Sequence, residues 1–181
     1  MTVHVVGSIN IDIIARVETL PGPGETVLAL GAERLAGGKG ANQAVAAARL
    51  GSSVSVVTCV GDDMFGQQQI RNFEANGIDT SHVHVIANRS SGVAPIFVEP
   101  SGENSILIIK GANAALAPAM VDQAAPVLEG CDAILMQLEV PLEVNYHTIA
   151  WAASKGTTSR PSRSTRRSTP PTATTCAPGG G

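Results

Sequence analysis

The sequence predicts an α/β protein in which a central sheet carries helices on its faces. Short β-branched runs alternate with patterns of helix formers over most of the chain, glycines stand where strands end, and two further β-prone segments break that alternation. Val3 to Gly7 is a β-branched run ending at a glycine, which reads as a strand delivering the chain to a functional edge. Ala41 to Leu50 is rich in strong helix formers, and Gly51 supplies the stop. Val54 to Val60 is the next strand. Met64 to Asn76 reads as a helix closed by Asn76-Gly77, and Met120 to Leu128 as another, with Pro118 near its start. Ala133 to Leu138 is a buried strand, followed after Pro141 by a helix over Leu142 to Ala153 that ends by Gly156. The two segments that break the pattern, Glu25 to Leu35 and Gly92 to Ile109, predict a small antiparallel sheet. The second holds a hairpin signal at Pro100-Ser101-Gly102-Glu103-Asn104. A small sheet with an exposed apolar face folds over a ligand or pairs with a second subunit, so these segments read as a lid and as a homodimer surface.

Composition narrows the class. At 181 residues there is room for one ordinary domain, and an aromatic fraction of 3% leaves the core to Val, Ile, Leu and Ala. No run approaches the roughly 20 apolar residues that span a bilayer, and the N-terminus has no basic region before an apolar segment, so no membrane partner and a cytoplasmic location are expected. Cys59, Cys131 and Cys176 are odd in number and widely spaced, which suggests neither disulfides nor zinc. His82 and His84 share a face of an alternating segment, with nothing nearby to complete a metal shell. Residues 1 to 156 carry 15 acidic and 8 basic side chains, a net −7, and the other four arginines lie beyond them. Thr157 to Gly181 contains no Leu, Ile, Val, Met or aromatic residue and builds no core. It is expected to be a disordered end. The abrupt loss of apolar periodicity fits a shifted reading frame after about Thr158, and four arginines without aromatics make a poor nucleic-acid arm.

The densest chemical signal is Gly37-Gly38-Lys39-Gly40-Ala41-Asn42-Gln43, a glycine run that leads straight into a helix. Glycines let a ligand approach the backbone, free amides at the helix start favour electronegative atoms, and Asn42 offers both a donor and an acceptor. A hydroxyl-rich ligand suits such a site; a tight strand-to-helix turn is the plainer reading of the same spacing. The run is not a nucleotide P-loop, because Gly40 follows Lys39 where Ser or Thr would bind magnesium, and it lacks the GxGxxG spacing of dinucleotide folds.

Eight ordered motifs over Val3 to Ala153 resemble the ribokinase-like (PfkB) carbohydrate kinases: GSINIDI from Gly7, PGPGET from Pro21, GGKGANQAVAAARLG from Gly37, GDDMFG from Gly61, GVAPIFV from Gly92, GEN at Gly102, GANAAL from Gly111 and MQLEVP from Met136. The resemblance implies a three-layer α/β/α sheet, here incomplete, with a small β-sheet lid over about residues 16–36 and 92–109. It also implies that residues 1–156 form the sugar-binding region and 157–181 the tail. Asn10 and Asp12 would bond sugar hydroxyls, Gly38, Lys39 and Asn42 would approach the sugar from the glycine run, and Glu139 would complete the polar ring. Taken singly, Asp12 also reads as a turn cap, Lys39 as a solvated charge and Glu139 as a strand-end charge. Asp62 and Asp63 read as turn-shaping residues.

The implied reaction is transfer of the ATP γ-phosphoryl group to the primary hydroxyl of D-ribose with magnesium, and a monovalent cation as a further ligand. Fructokinase, nucleoside kinase or another pentose kinase is the alternative, and a catalytically inactive sugar-binding fragment is a second. The family's later DTxGAGD-like signature, with its catalytic Asp and anion hole, does not occur in these 181 residues, nor does its Asn-x-x-Glu region. No catalytic, ATP-binding or metal-binding residue is therefore assigned, and the chain by itself is expected not to turn over.

Overall fold

The computed structural model describes residues 1–161. Five parallel strands form the central sheet: β1 (Thr2–Val6), β4 (Ser53–Gly61), β5 (Asp79–Ile86), β8 (Ala133–Met136) and β9 (Ser159–Pro161), in the order β5-β4-β1-β8-β9. α1 (Lys39–Arg49) and α2 (Met64–Ala75) cover one face through a core of Val3, Val5, Val56, Ala44 and Phe73. α3 (Pro118–Gln123), α4 (Ala125–Leu128) and α5 (Leu142–Ser154) cover the other, around Val6, Val57, Leu128, Ile134 and Met136. Helices on both faces of an all-parallel sheet make the three-layer arrangement expected, and near-continuous Val and Ile runs are what doubly covered strands require. Among the described residues no helix is long and apolar enough to cross a membrane.

A second sheet lies apart, in the order β3-β2-β6-β7, from β2 (Asn10–Val17), β3 (Ala29–Gly37), β6 (Gly92–Val98) and β7 (Asn104–Ile106). It differs from the expected lid in three ways. It begins at Asn10 rather than near residue 16, because β2 is one of its two inner strands. It is mixed rather than antiparallel, since β2 runs parallel to β6 while β3 and β7 pair antiparallel. Residues 25–28 are not in a strand, and β3 starts at Ala29. The turn signal between β6 and β7 is realised as a hairpin, with Gly102 at φ 88° and its N–H donating to the Glu99 carbonyl.

Two helical expectations also change. The single helix over Met120 to Leu128 is divided at Ala124, where Pro126, at the start of the next helix, has no N–H to continue the ladder. Thr158 to Pro161, expected to belong to the tail, join the sheet instead: the Ile134 N–H donates to the Thr158 carbonyl, and Ser159–Pro161 pairs with β8. The reading of residues 162–181 as disordered or frame-shifted lies outside the described residues.

Asp63 shapes a turn, as its position suggested. As N-cap of α2 it accepts from the Gly66 N–H at 2.8 Å, and it also accepts from the Ser91 hydroxyl at 2.6 Å and the Ser91 N–H at 2.8 Å. Burial alone would push its carboxyl up, but the bonds from Ser91 and from the N–H groups of Gly66 and Phe65 outweigh that and hold it below the usual range. Asp63→Ala is expected to cost about 2 kcal/mol, read as a lower urea midpoint at unchanged slope. Asp62 accepts from the Asn88 N–H at 3.0 Å, where Asn88 itself turns through φ 55°.

His4, His82 and His84 lie in strands of the central sheet, and His147 lies in α5, where it pairs with Asp122. His4 is buried in β1, its Nδ1 bonded to the Ser55 hydroxyl and its Nε2 without a partner; the Nε2 of His84 in β5 also lacks one. Burial pulls both imidazoles below the ordinary 6.5, and His82 adds to the effect on each. A histidine kept neutral in the fold but free to protonate when unfolded costs stability as the pH falls. The urea midpoint is therefore expected to drop as the pH falls from 6.5, with wild type losing more than His4→Asn; a midpoint flat from pH 7 to 5.5 would remove His4 from this account.

Candidate functional site

Strand order reverses at β1. The chain leaves β1 for β4 and β5 on one side and returns as β8 on the other, so a crevice opens beyond the carboxyl ends of β1 and β8, where ligands bind in sheets of this kind. Ser8 follows β1, and Gln137 and Glu139 follow β8. The Ser8 N–H donates to Gln137 Oε1 at 3.1 Å, its hydroxyl donates to Glu139 Oε2 at 2.7 Å, and Gln137 Nε2 donates to Gln43 Oε1 at 2.6 Å. These bonds tie the two strand ends to α1.

The glycine run enters the same crevice. Gly38 is the N-cap of α1 with φ 95° and ψ 140°, a backbone shape open to glycine alone. A Cβ there would stand 2.6 Å from the Asn10 nitrogen and 2.8 Å from Ile9 Cα. The run thus passes flush against the start of β2, and the first turn of α1 presents Lys39 and Asn42 to the crevice. Gln69 of α2 holds this junction from behind by donating to the carbonyl of Asn10 and, at 3.4 Å, to that of Gly37.

All six residues singled out from the sequence, Asn10, Asp12, Gly38, Lys39, Asn42 and Glu139, line one cavity of about 210 Å3. Its remaining wall comes from the lid: Ala94, Ile96, Ile106 and Ile108. Such a volume is below the ~300–1,000 Å3 of sites for drug-sized ligands and suits a single small ring. A wider, shallow hollow of about 550 Å3 shares Asn42 but otherwise runs along the far side of α1, with Arg49 as its one charged wall residue, and brings none of the other five together.

The charges are ordered. Lys39 Nζ donates to Glu139 Oε1 at 2.5 Å, and Glu139 is 8% exposed. Burial would raise the Glu139 carboxyl, yet the bonds from Lys39 and Ser8 and the Lys39 charge hold it below the usual range. Asp12 differs. Burial first, and the Glu139 charge second, push its carboxyl up, with Lys39 partly opposing. Glu139 is thus a fixed anion already engaged by the protein, while Asp12 is the more readily protonated of the two.

Asn10 is oriented by Asn113, which the sequence reading passed over. Asn113 is buried in the short 3-10 turn Gly111–Ala115. It accepts the Ile9 N–H at 2.9 Å, and its Nδ2 donates to the Ile9 carbonyl and to Asn10 Oδ1, both at 2.9 Å. With Oδ1 of Asn10 so engaged, its Nδ2 is left to donate into the cavity. Ser8, Gln69, Asn113 and Gln137 were missed because each acts through another residue across a long sequence separation. The lid wall was more legible: Ala94 and Ile96 are two apart on one face of β6, and Asp12 and Ile14 pair with them on β2.

Among the described residues, no group of three or more His, Cys, Asp or Glu side chains is placed to hold a metal ion. The two cavity carboxylates sit with Lys39, and these residues do not fit a magnesium–nucleotide centre.

The pfkB family carbohydrate kinase profile matches residues 2–177. The chain belongs to this family. Curated relatives include a deoxyribokinase of Salmonella typhi, 49% identical over 156 residues that make up 86% of this chain and 51% of that protein, and a ribokinase of Haemophilus influenzae, 43% identical over 78% of this chain and 46% of that one. Among solved structures, ribokinase from Thermotoga maritima superposes with a TM-score of 0.76 at 36% identity, over 87% of this chain and 51% of that one. Arabidopsis thaliana ribokinase complexed with ribose and ATP superposes with a TM-score of 0.80 at 32% identity, over 88% and 52%. The PfkB chain described here spans about half the length of the curated relatives it matches.

Proposed function

We propose that this chain supplies the sugar-gripping half of an ATP-dependent PfkB kinase whose acceptor is a pentose, D-ribose first. The observation that carries the reading is the convergence of Asn10, Asp12, Gly38, Lys39, Asn42 and Glu139 on one small cavity roofed by apolar lid residues. Asp12 accepts from sugar hydroxyls, and Glu139 does so with the lone pairs that Lys39 and Ser8 leave free. Asn10 Nδ2 and Lys39 donate, and Asn42 does either. A site built to hydrogen-bond hydroxyls discriminates against an analogue lacking one, because its polar groups are then left unpaired. The apolar lid wall packs against the ring and excludes water.

The ribokinase of Arabidopsis thaliana is described complexed with ribose and ATP, which supports ATP as the phosphoryl donor; magnesium would neutralise the charge on the transferred group. This chain's residues bind and orient the acceptor sugar. The DTxGAGD-like signature is not among its 181 residues, and the chain alone is expected not to turn over. The second reading is a preference for 2-deoxy-D-ribose, favoured by the 49% identity to a protein named deoxyribokinase. The lid, with Leu28, Leu30 and Leu107 exposed on it, is the proposed homodimer surface, and the cytoplasm the proposed location.

The deciding experiment is calorimetric titration of the 181-residue chain with D-ribose and with 2-deoxy-D-ribose, beside an ADP-release assay containing ATP and magnesium. Ribose binding without turnover is expected. Tighter binding of the deoxy sugar selects the second reading, binding of neither ends the sugar assignment, and sugar-dependent ADP release overturns the inactivity of the chain.

A further inference from the structure

Gln69 is a buried amide at a position where helix packing asks for a hydrocarbon. On α2 it stands between Gly66 and Phe73, the other two buried residues of that helix, and it is 1% exposed. Its Oε1 is buried with no partner among the described residues, an arrangement that costs stability and that Leu or Met in the same space would avoid. The bonds the side chain does make both come from Nε2, which donates to the carbonyl of Asn10 and, at 3.4 Å, to that of Gly37. Turning the amide over would set Oε1 against the same two carbonyls, so the donor end is fixed towards them.

Those carbonyls belong to one rung, because Asn10 of β2 and Gly37 of β3 are paired residues of the lid sheet. Asn10 carries a cavity side chain, and Gly37 immediately precedes Gly38 and Lys39, so a single amide holds the main chain under two parts of the cavity wall. Gln69 itself lies behind the rung and does not line the cavity. Asn113 holds Oδ1 of Asn10, and Gln69 takes the carbonyl of the same residue. The helix that carries Gln69 is anchored in turn. Asp63 caps it and accepts from Ser91, and Phe65, one turn before Gln69 on the same face, packs under the Arg34 guanidinium of β3, 5.7 Å from the ring centroid.

We propose that Gln69 is a positioning residue for sugar binding, acting through two main-chain carbonyls to hold Asn10 and the Gly38–Lys39 turn at the spacing the sugar requires. Its buried, half-unpaired amide is retained for that placement and not for core stability. The inference rests on the sugar reading of the cavity for its affinity arm, and on the fold alone for its amide-exchange arm.

Two variants test it. Gln69→Met keeps the length and removes the donor, whereas Gln69→Glu keeps the shape and donates only while protonated. A carboxyl facing two carbonyls out of water stays neutral well above its ordinary range, since fully buried glutamates titrate as high as about 8–9. Calorimetric titration with D-ribose should show Gln69→Met at least ~10-fold weaker than wild type, the loss that follows when buried acceptors lose their donor. Gln69→Glu should bind within ~3-fold of wild type at pH 6 and at least ~10-fold more weakly at pH 8.5, where the carboxylate repels the rung. Each ratio is taken at a single pH. The ionisable groups on the surrounding elements, Asp63 on α2, Asp12 on β2, Arg34 on β3, Lys39 on α1 and His82 on β5, are common to both proteins and cancel. A residue that merely supported the core would move the urea midpoint and leave this ratio flat with pH.

Amide hydrogen exchange without sugar is expected to quicken across 9–12 and 36–40 in Gln69→Met, and in Gln69→Glu at pH 8.5 alone. Wild-type affinity in a folded Gln69→Met, a Gln69→Glu ratio that does not change with pH, or exchange unaltered in those segments would each overturn the proposal. Should Gln69→Met fail to fold, the pH series within Gln69→Glu still decides. Should wild type bind no ribose, the sugar reading fails by itself, and exchange decides whether Gln69 holds the rung.

Discussion

Glu139→Ala should reduce D-ribose affinity by about 100-fold or more, the largest effect of any single cavity substitution. The carboxylate is 8% exposed and engages Lys39 with one oxygen and Ser8 with the other. Removing it leaves a partly buried ammonium and a buried hydroxyl without their partner, and truncating one side of such a pair costs about 2–5 kcal/mol, most of it from the group left behind. Glu139→Gln keeps the shape and the acceptor for Ser8 but loses the charge, so a loss near 10-fold is expected. Calorimetric titration reads both variants, and wild-type affinity in Glu139→Ala would end the assignment of this residue.

The pH profile of binding follows from the same pair. Glu139 is held below the usual carboxylate range, so the stability its ion pair contributes is present above the unfolded value of about 4.5 and is lost only as the pH falls through the lower folded one. Asp12 is raised above its ordinary 3.8 and therefore protonates first on acidification, giving up its role as a full acceptor. Sugar binding should weaken on the acid side through Asp12, and in Asp12→Asn that acid limb should disappear along with much of the affinity.

Gly38→Ala carries the second large effect, this time on folding. The residue holds φ 95° and ψ 140°, and a Cβ would meet the backbone of Ile9 and Asn10 at under 3 Å. Backbone strain of about 1–3 kcal/mol adds to a clash that no side-chain rotation relieves, because the neighbours are main-chain atoms of β2. A total near 4 kcal/mol is expected, a large share of a small domain's stability. Gly130→Ala is the control: φ is also positive, at 77°, but nothing lies within 4 Å, so about 1 kcal/mol is expected from conformation alone. Urea unfolding of the two variants beside wild type separates steric contact from backbone preference.

The central sheet was legible because each of its longer elements is locally self-consistent. Val54 to Val60 is mostly β-branched and lies inside β4, and the helical pattern of Ala41 to Leu50 stops before Gly51, as α1 does. The division of the third helix was also written locally, in Pro126, and was passed over because Met120 to Leu128 otherwise reads as helix. Strand β2 was harder. Asn10 and Asp12 look like loop residues, and only pairing to both β3 and β6 makes that segment the centre of the lid. β9 is harder still: three residues of Ser, Arg and Pro become a strand because β8 offers a free edge, a tertiary fact with no local signal.

The sequence by itself determined the layered α/β architecture, the family and the six cavity residues, because residue type, periodicity and motif order are local properties that survive without coordinates. Tertiary structure alone decided how those residues act. That Glu139 is engaged by Lys39 from 100 positions away, that Asp12 is left as the protonatable carboxyl, and that Asn113 turns the Asn10 amide towards the cavity all depend on distances between distant segments. Burial and charge proximity set those properties, and both come into being only when β1, β8, α1 and the lid meet.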